Sequence, residues 1–121
     1  MPIRFRAALE AVLTDFADQH RGVRLGRMFG WPAGYVGRRL FACVMRDGVI
    51  VRLPAEVERR ELRGRGRRFV RGGKPIRSWV IYRPRTASDA RRLGPVLELA
   101  VSYVAERQAE DEPRRQRRMR A

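Results

Sequence analysis

A chain of 121 residues is long enough for one domain with a buried core and too short for two. Its 28 basic and 13 acidic residues leave a formal net charge of +15, which favours polyanionic partners and opposes compaction by self-repulsion. The lone Cys43 excludes an intrachain disulfide or a cysteine zinc site, and neither a signal-peptide run nor a membrane-spanning run is present, so a cytoplasmic location is expected.

Phe5, Leu9, Val12, Leu13 and Phe16 recur at helical spacing, which predicts a first helix with one apolar face, stopped by Gly22. His20 and Arg21 would then sit in its last turn, favourable to the helix dipole. From Val23 to Leu53 short apolar runs separated by glycines predict an antiparallel meander, with strands near Val23 to Val36, Arg39 to Arg46 and Gly48 to Leu53. The turns are expected at Gly37-Arg38 and Asp47-Gly48, and a bend or bulge at Trp31-Pro32-Ala33-Gly34. Both alternating sets of the second strand, Leu40/Ala42/Val44 and Phe41/Cys43/Met45, are apolar, so that strand should be covered on both faces.

Pro54 opens a short second helix with Glu56, Glu58 and Glu61 near its positive end, Val57 and Leu62 as core contacts, and Gly64 and Gly66 as its stop. Phe69-Val70 and Ser78 to Tyr82 read as the last two strands, joined by Gly72-Gly73-Lys74-Pro75. Ser88-Asp89 is the expected cap of a long final helix reaching about Glu110, starting near Gly94 or kinked at Pro95. From Pro113 the apolar pattern stops, which predicts a domain over 1–112 and a flexible basic tail over 113–121.

Arg27-Met28-Phe29-Gly30, then Gly34-Tyr35-Val36, the Gly37-Arg38 turn, Phe41-Ala42 and an apolar strand ending at Leu53 resemble, in order and spacing, the N-terminal domain of the TfoX/Sxy competence regulators. The resemblance can be followed from about Leu9 to Glu106. It implies a small bacterial domain tied to transcriptional control, here standing alone without the family's C-terminal helical domain. It also implies the order α-β-β-β-α-β-β-α, in agreement with the reading above: an α+β two-layer sandwich of a five-stranded antiparallel sheet and helices.

Charge placement is the main functional signal. Residues 55–83 hold ten basic and three acidic residues, residues 113–121 five basic and none acidic, and residues 84–112 are net acidic by two. The candidate nucleic-acid-binding residues are therefore Arg63, Arg65, Arg67, Arg68, Arg71, Lys74 and Arg77, with Arg114, Arg115, Arg117, Arg118 and Arg120 of the tail. Phe69, Trp79 and Tyr82 could stack on unpaired bases, but strand aromatics more commonly pack in a core. No base-reading module accompanies the charge, so binding should be tolerant of sequence and sensitive to salt. Counting back from Gly73-Lys74, a phosphate-binding loop would need glycine where Arg68 stands, and Pro75 replaces its Ser or Thr.

His20 and Cys43 would form a nucleophile and base only if the first helix end met the second strand. No enzyme activity, cofactor or metal is expected. The alternative role is a protein-interaction adaptor or homodimer, with the basic tail docking on an acidic partner such as a transcription factor.

Overall fold

The computed structural model describes the backbone over residues 3–120 and side chains over residues 6–110. A first helix, α1 (Ile3–Asp18), leads into four strands, β1 (Val23–Met28), β2 (Trp31–Val36), β3 (Arg39–Met45) and β4 (Gly48–Arg52). Helix α2 (Ala55–Arg63), strands β5 (Arg67–Arg71) and β6 (Lys74–Tyr82), and helices α3 (Ala87–Arg91) and α4 (Gly94–Arg120) complete the chain. All neighbouring strands are antiparallel, in the order β1-β2-β3-β4-β6-β5. The architecture is the expected α+β one, with six strands in place of five.

The extra strand comes from a reversal inside the stretch expected to be one strand. Phe29 (φ 50°) and Gly30 (φ 85°) both take positive φ, as the tightest β-hairpin turn requires, and Met28 pairs with Trp31. The reversal therefore precedes Trp31-Pro32-Ala33-Gly34, which is strand, with a register shift against β3 at its last residue, Gly34, where the expected bend or bulge is met. The next turn forms at Gly37-Arg38 as expected, with Val36 opposite Arg39. The third turn is Arg46-Asp47, and Gly48 begins β4 opposite Met45. Glycine is needed there for close approach: a Cβ on Gly48 would lie 2.4 Å from the Tyr82 backbone oxygen.

The helices pack on one face of the sheet. Leu9, Leu13 and Phe16 of α1 and Val96, Leu97, Ala100 and Val104 of α4 meet Phe41, Val44, Val49, Val51, Val80 and Tyr82. Between the pairs Gly34–Ala42 and Tyr35–Leu40 the β2–β3 register shifts by one residue, leaving Phe41 as the extra one. Simple alternation along β3 is broken by this bulge. Phe41 joins Ala42 and Val44 on the helix side, its ring lying where a Cβ on Gly34 would sit, while Leu40, Cys43 and Met45 face the other way.

That second face has a core of its own. Ala33, Cys43, Ile50 and Ile81 are buried beneath Met28, Trp31, Tyr35, Leu40, Met45, Phe69 and Trp79, and none of these residues comes from a helix. The Arg71 guanidinium lies 6.0 Å from the Phe29 ring, although the β1–β2 and β5–β6 hairpins are at opposite ends of the strand order. The sheet must therefore curl over its helix-free face. The expected coverage of the second strand on both faces is met in this way, by helices on one side and by the sheet itself on the other.

Three helix boundaries differ from expectation: α1 ends at Asp18, so His20 and Arg21 follow the helix and do not stand in its last turn. Thr86, not Ser88-Asp89, caps α3, its Oγ1 accepting the Asp89 N–H at 3.0 Å. The break expected at Pro113 is also absent from the backbone: α4 has Pro95 in its first turn and continues to Arg120, so residues 113–120 are helical rather than an irregular tail. Among the described residues no helix is long and apolar enough to cross a membrane.

Truncating Phe41 removes the side chain that fills the space over Gly34 between α1 and the bulge. Phe41→Ala is expected to lower unfolding stability by about 3–5 kcal/mol in urea denaturation with an unchanged m-value. A loss under about 1 kcal/mol would show that the bulge packs differently.

Candidate nucleic-acid interface

The segment from Arg63 to Arg77 is a helix end followed by a β-hairpin, not an open loop. Arg63 closes α2, Arg65 lies in the connection, Arg67, Arg68 and Arg71 are on β5, and Lys74 and Arg77 are on β6. Gly72 and Gly73 make the hairpin turn with φ of 59° and 77°, pairing Arg71 with Lys74. All seven cationic side chains are exposed. Among the described residues only Arg68 meets a carboxylate, Glu58, at 3.5 Å. Arg65 donates to the Arg92 carbonyl at 3.3 Å, and Arg67 to the Gly64 and Gly66 carbonyls at 3.0 and 2.7 Å.

Glu58 is the one buried charged residue among those described, and it has a structural task. Between Arg68–Val80 and Val70–Pro75 the β5–β6 register slips, and Ser78 in the slipped segment has φ 77°. Its N–H, turned out of the ladder, donates to Glu58 Oε2 at 2.8 Å, while its carbonyl accepts the Leu53 N–H at 2.8 Å. The carboxylate thus fixes the irregularity that lets the hairpin curl away from α2.

Because Arg68 reaches α2, the alternate residues Arg67, Phe69 and Arg71 project to the helix-free face. Phe69 and Trp79 lie there half-buried, with Trp31 and Tyr35. Arg24 stacks 4.7 Å above the Tyr35 ring, and Arg6 lies 4.4 Å from the Trp31 ring. Tyr82 is in the core on the helix side, its hydroxyl bonded to Glu61 at 2.8 Å; burial foremost, then that bond, pushes its phenol well above the usual range. Of the three aromatics named from sequence, two are thus on the open face and one is sequestered. Trp31 and Tyr35 belong to the same face and were missed, because Val23 to Val36 was read as a single strand bent at Trp31 to Gly34.

The strands divide charge from the helices. The six strands carry Arg24, Arg27, Arg39, Arg52, Arg67, Arg68, Arg71, Lys74 and Arg77 and no Asp or Glu. Except for Asp47 in the β3–β4 turn, every carboxylate side chain of the sequence belongs to a helix. Exposed arginines also stand at Arg38, Arg46, Arg59, Arg60, Arg91 and Arg92, so the cations are not confined to one hairpin. At the end of β4, Arg52 and Arg107 of α4 both lie against Tyr103, 5.9 and 5.6 Å from its ring, and their Nε–H groups are buried without a partner among the described residues. Desolvation first, then Arg107 and Arg39, pulls the Arg52 guanidinium below its ordinary value.

The side chains of Arg114, Arg115, Arg117, Arg118 and Arg120 lie outside the described residues. His20 and Cys43 are not brought together. His20 stacks on Phe16 on the helix side, with Nδ1 2.7 Å from the Phe16 carbonyl and Nε2 2.5 Å from Glu98 Oε1, whereas Cys43 is in the core of the opposite face. Burial pushes the Cys43 thiol up to about 11, the wrong direction for a thiolate at neutral pH. Both His20 nitrogens face acceptors, so imidazolium is the favoured form and its pKa is raised, first by the Phe16 bond and then by Glu98. Among the described residues no group of three or more His, Cys, Asp or Glu is placed to hold a metal. No protein-family model matches the chain, and neither the curated proteins nor the solved structures give a match.

Glu58→Ala leaves the Ser78 N–H without its acceptor, so we expect a loss of about 1–3 kcal/mol in denaturant unfolding and faster hydrogen exchange at Ser78. Unchanged exchange there would mean that Glu58 does not hold the slipped segment. The raised His20 pKa has the opposite sign to a carboxylate effect: its stabilisation is full below about 6.5 and fades as pH rises through the folded value. The stability advantage of the native chain over His20→Gln should therefore shrink from pH 6 to pH 9, and a constant difference would remove the charged His20–Glu98 pair from the account.

Proposed function

We propose that the chain is a non-enzymatic, nucleic-acid-associated regulatory domain of the TfoX N-terminal type, acting in the cytoplasm and holding phosphate backbones without reading bases. The observation that carries this reading is the charge division: the strands hold nine cationic side chains and no carboxylate, and Arg24, Arg67 and Arg71 among them stand beside half-exposed aromatics on the helix-free face. Arginines along the β5–β6 hairpin would follow the backbone while Trp31, Tyr35, Phe69 and Trp79 offer π-faces to unpaired bases. The family assignment rests on the order and spacing of the residues from Arg27 to Leu53.

A second reading has its own observation. Phe29 at the β1–β2 tip is 83% exposed and Val70 beside the β5–β6 tip 53% exposed, at hairpins that converge. Exposed apolar side chains at two converging hairpin tips suit an adaptor that docks on a protein partner, such as a component of the transcription machinery. Pull-down after nuclease treatment separates the readings, because a partner retained without nucleic acid supports the adaptor.

Fluorescence anisotropy with random-sequence single-stranded and duplex DNA and RNA at several salt concentrations tests the leading reading. With three to five phosphates engaged, log K against log salt should fall with a slope of about −2 to −3.5 for single strands. The combined change Arg67→Gln, Arg71→Gln, Lys74→Gln should flatten that slope by about 2. Absence of binding at low salt, salt-independent affinity, or no response to the triple change would each overturn it.

A further inference from the structure

A second concentration of guanidinium groups stands away from the helix-free face. The chain leaves β6 through Arg83-Pro84-Arg85 and enters α3, and this exit bounds a cleft of about 240 Å³ with Arg65, Tyr82, Asp89 and Leu93. Tyr82 and Leu93 are buried members of the helix-side core and Pro84 is half-buried, so the floor is apolar and the rim is charged.

The charges at that rim do not cancel one another. Arg83 is neutralised by Asp47 through two bonds to Oδ2, at 3.3 Å from Nε and 3.0 Å from Nη2. Asp89 has Arg92 at 3.8 Å, and Glu61, beyond the Tyr82 hydroxyl, has Arg60 at 3.6 Å. Arg65 meets only the neutral carbonyl of Arg92, and Arg85 has no hydrogen-bond or ion-pair partner among the described residues. Two positive charges remain uncompensated over an apolar floor. Carboxylates and sulfate esters carry one negative charge; a phosphomonoester at neutral pH carries nearly two and offers three acceptor oxygens to guanidinium donors.

We infer that this cleft binds a phosphomonoester, with Arg65 and Arg85 on the phosphate and Tyr82, Pro84 and Leu93 against a small apolar or planar body. The cleft opens on the helix side of the sheet, so the inference does not depend on polymer binding at the strands. The same chemistry is present in a mononucleotide, in a small phosphorylated metabolite and in the 5′-phosphate of a nucleic-acid strand.

The test uses phenyl phosphate at pH 7.5, followed by amide chemical shifts on the full chain, with phenyl sulfate as the monoanionic control. Shifts should concentrate at Arg65, Tyr82, Arg83, Arg85, Asp89 and Leu93, and phenyl sulfate should bind at least fivefold more weakly. Arg85→Gln and, separately, Arg65→Gln should weaken phenyl phosphate at least tenfold without lowering the melting temperature. Equal binding of sulfate and phosphate, shifts away from the cleft, or unchanged affinity in both variants would overturn the inference. Tighter binding of AMP than of phenyl phosphate assigns the site to nucleotides, and preference for a 5′-phosphorylated oligonucleotide over its 5′-hydroxyl form assigns it to strand ends. Arg67→Gln, Arg71→Gln, Lys74→Gln should retain phenyl phosphate binding, which separates failure of the cleft from failure of the strand surface.

Discussion

A sheet that is apolar on both faces, with helices on only one of them, is the constraint from which the rest follows. Both the helix-side core and the set around Cys43 and Ile50 must leave water, and each buried aliphatic side chain contributes roughly 1.5–3 kcal/mol only if it is covered. With no helix over the second face, the available cover is the sheet's own edge hairpins. Curling them inward demands irregular backbone in a ladder that would otherwise twist smoothly. The two register shifts, at Phe41 and around Ser78, supply it. One is held by packing against Gly34 and α1, the other by a buried carboxylate, so Glu58 is better understood as part of the sheet's shape than as part of its charge balance.

The same geometry explains where charge can sit. Buried carboxylates are costly unless hydrogen-bonded, and among the described residues one is spent, on an N–H turned out of the ladder. The remaining acids stand on helices and one turn, where water is available. The strands keep long guanidinium side chains, whose stems can lie along apolar or aromatic surface while the heads remain wet, as Arg24 does over Tyr35. A curled sheet therefore acquires a cationic, aromatic-lined face as a consequence of how it is covered.

Local pattern made much of this legible. The apolar spacing from Leu9 to Phe16, the two-sided apolar character of residues 40–45 and the Gly72-Gly73 turn each correspond to the element they predicted. What escaped was set by tertiary contact or by residues acting against propensity. Phe29 at φ 50° is an aromatic residue where Asn or Asp would have signalled a hairpin, so one strand was read where two exist. Thr86 caps α3 from a position that Ser88-Asp89 appeared to fill, and α4 runs on through Pro113 although its apolar stripe ends earlier. The basic stretch Arg63 to Arg77 was visible as composition, but its alternation between α2 and the open face depends on Glu58, twenty residues from the amide it holds. Of the cleft arginines, Arg65 was named with the basic stretch, whereas Arg83 and Arg85 fell at the seam between a basic and an acidic window, where averaging hides them.

The sheet has two free edges, and both carry arginine: Arg24 and Arg27 on β1, Arg67, Arg68 and Arg71 on β5. Charged edges prevent strand-to-strand association with another chain, which is reason enough for some of these residues. That protection is also selective. A second copy approaching either edge brings its own surplus from a net charge of +15 and is repelled, as is any other basic surface. A polyanion reverses the sign of the same interaction, and the release of its condensed counterions adds a driving force that no neutral partner has. The feature that keeps these edges from pairing with protein is thus one that, in the function proposed above, would favour phosphate, and the half-buried rings lie on the face between the edges.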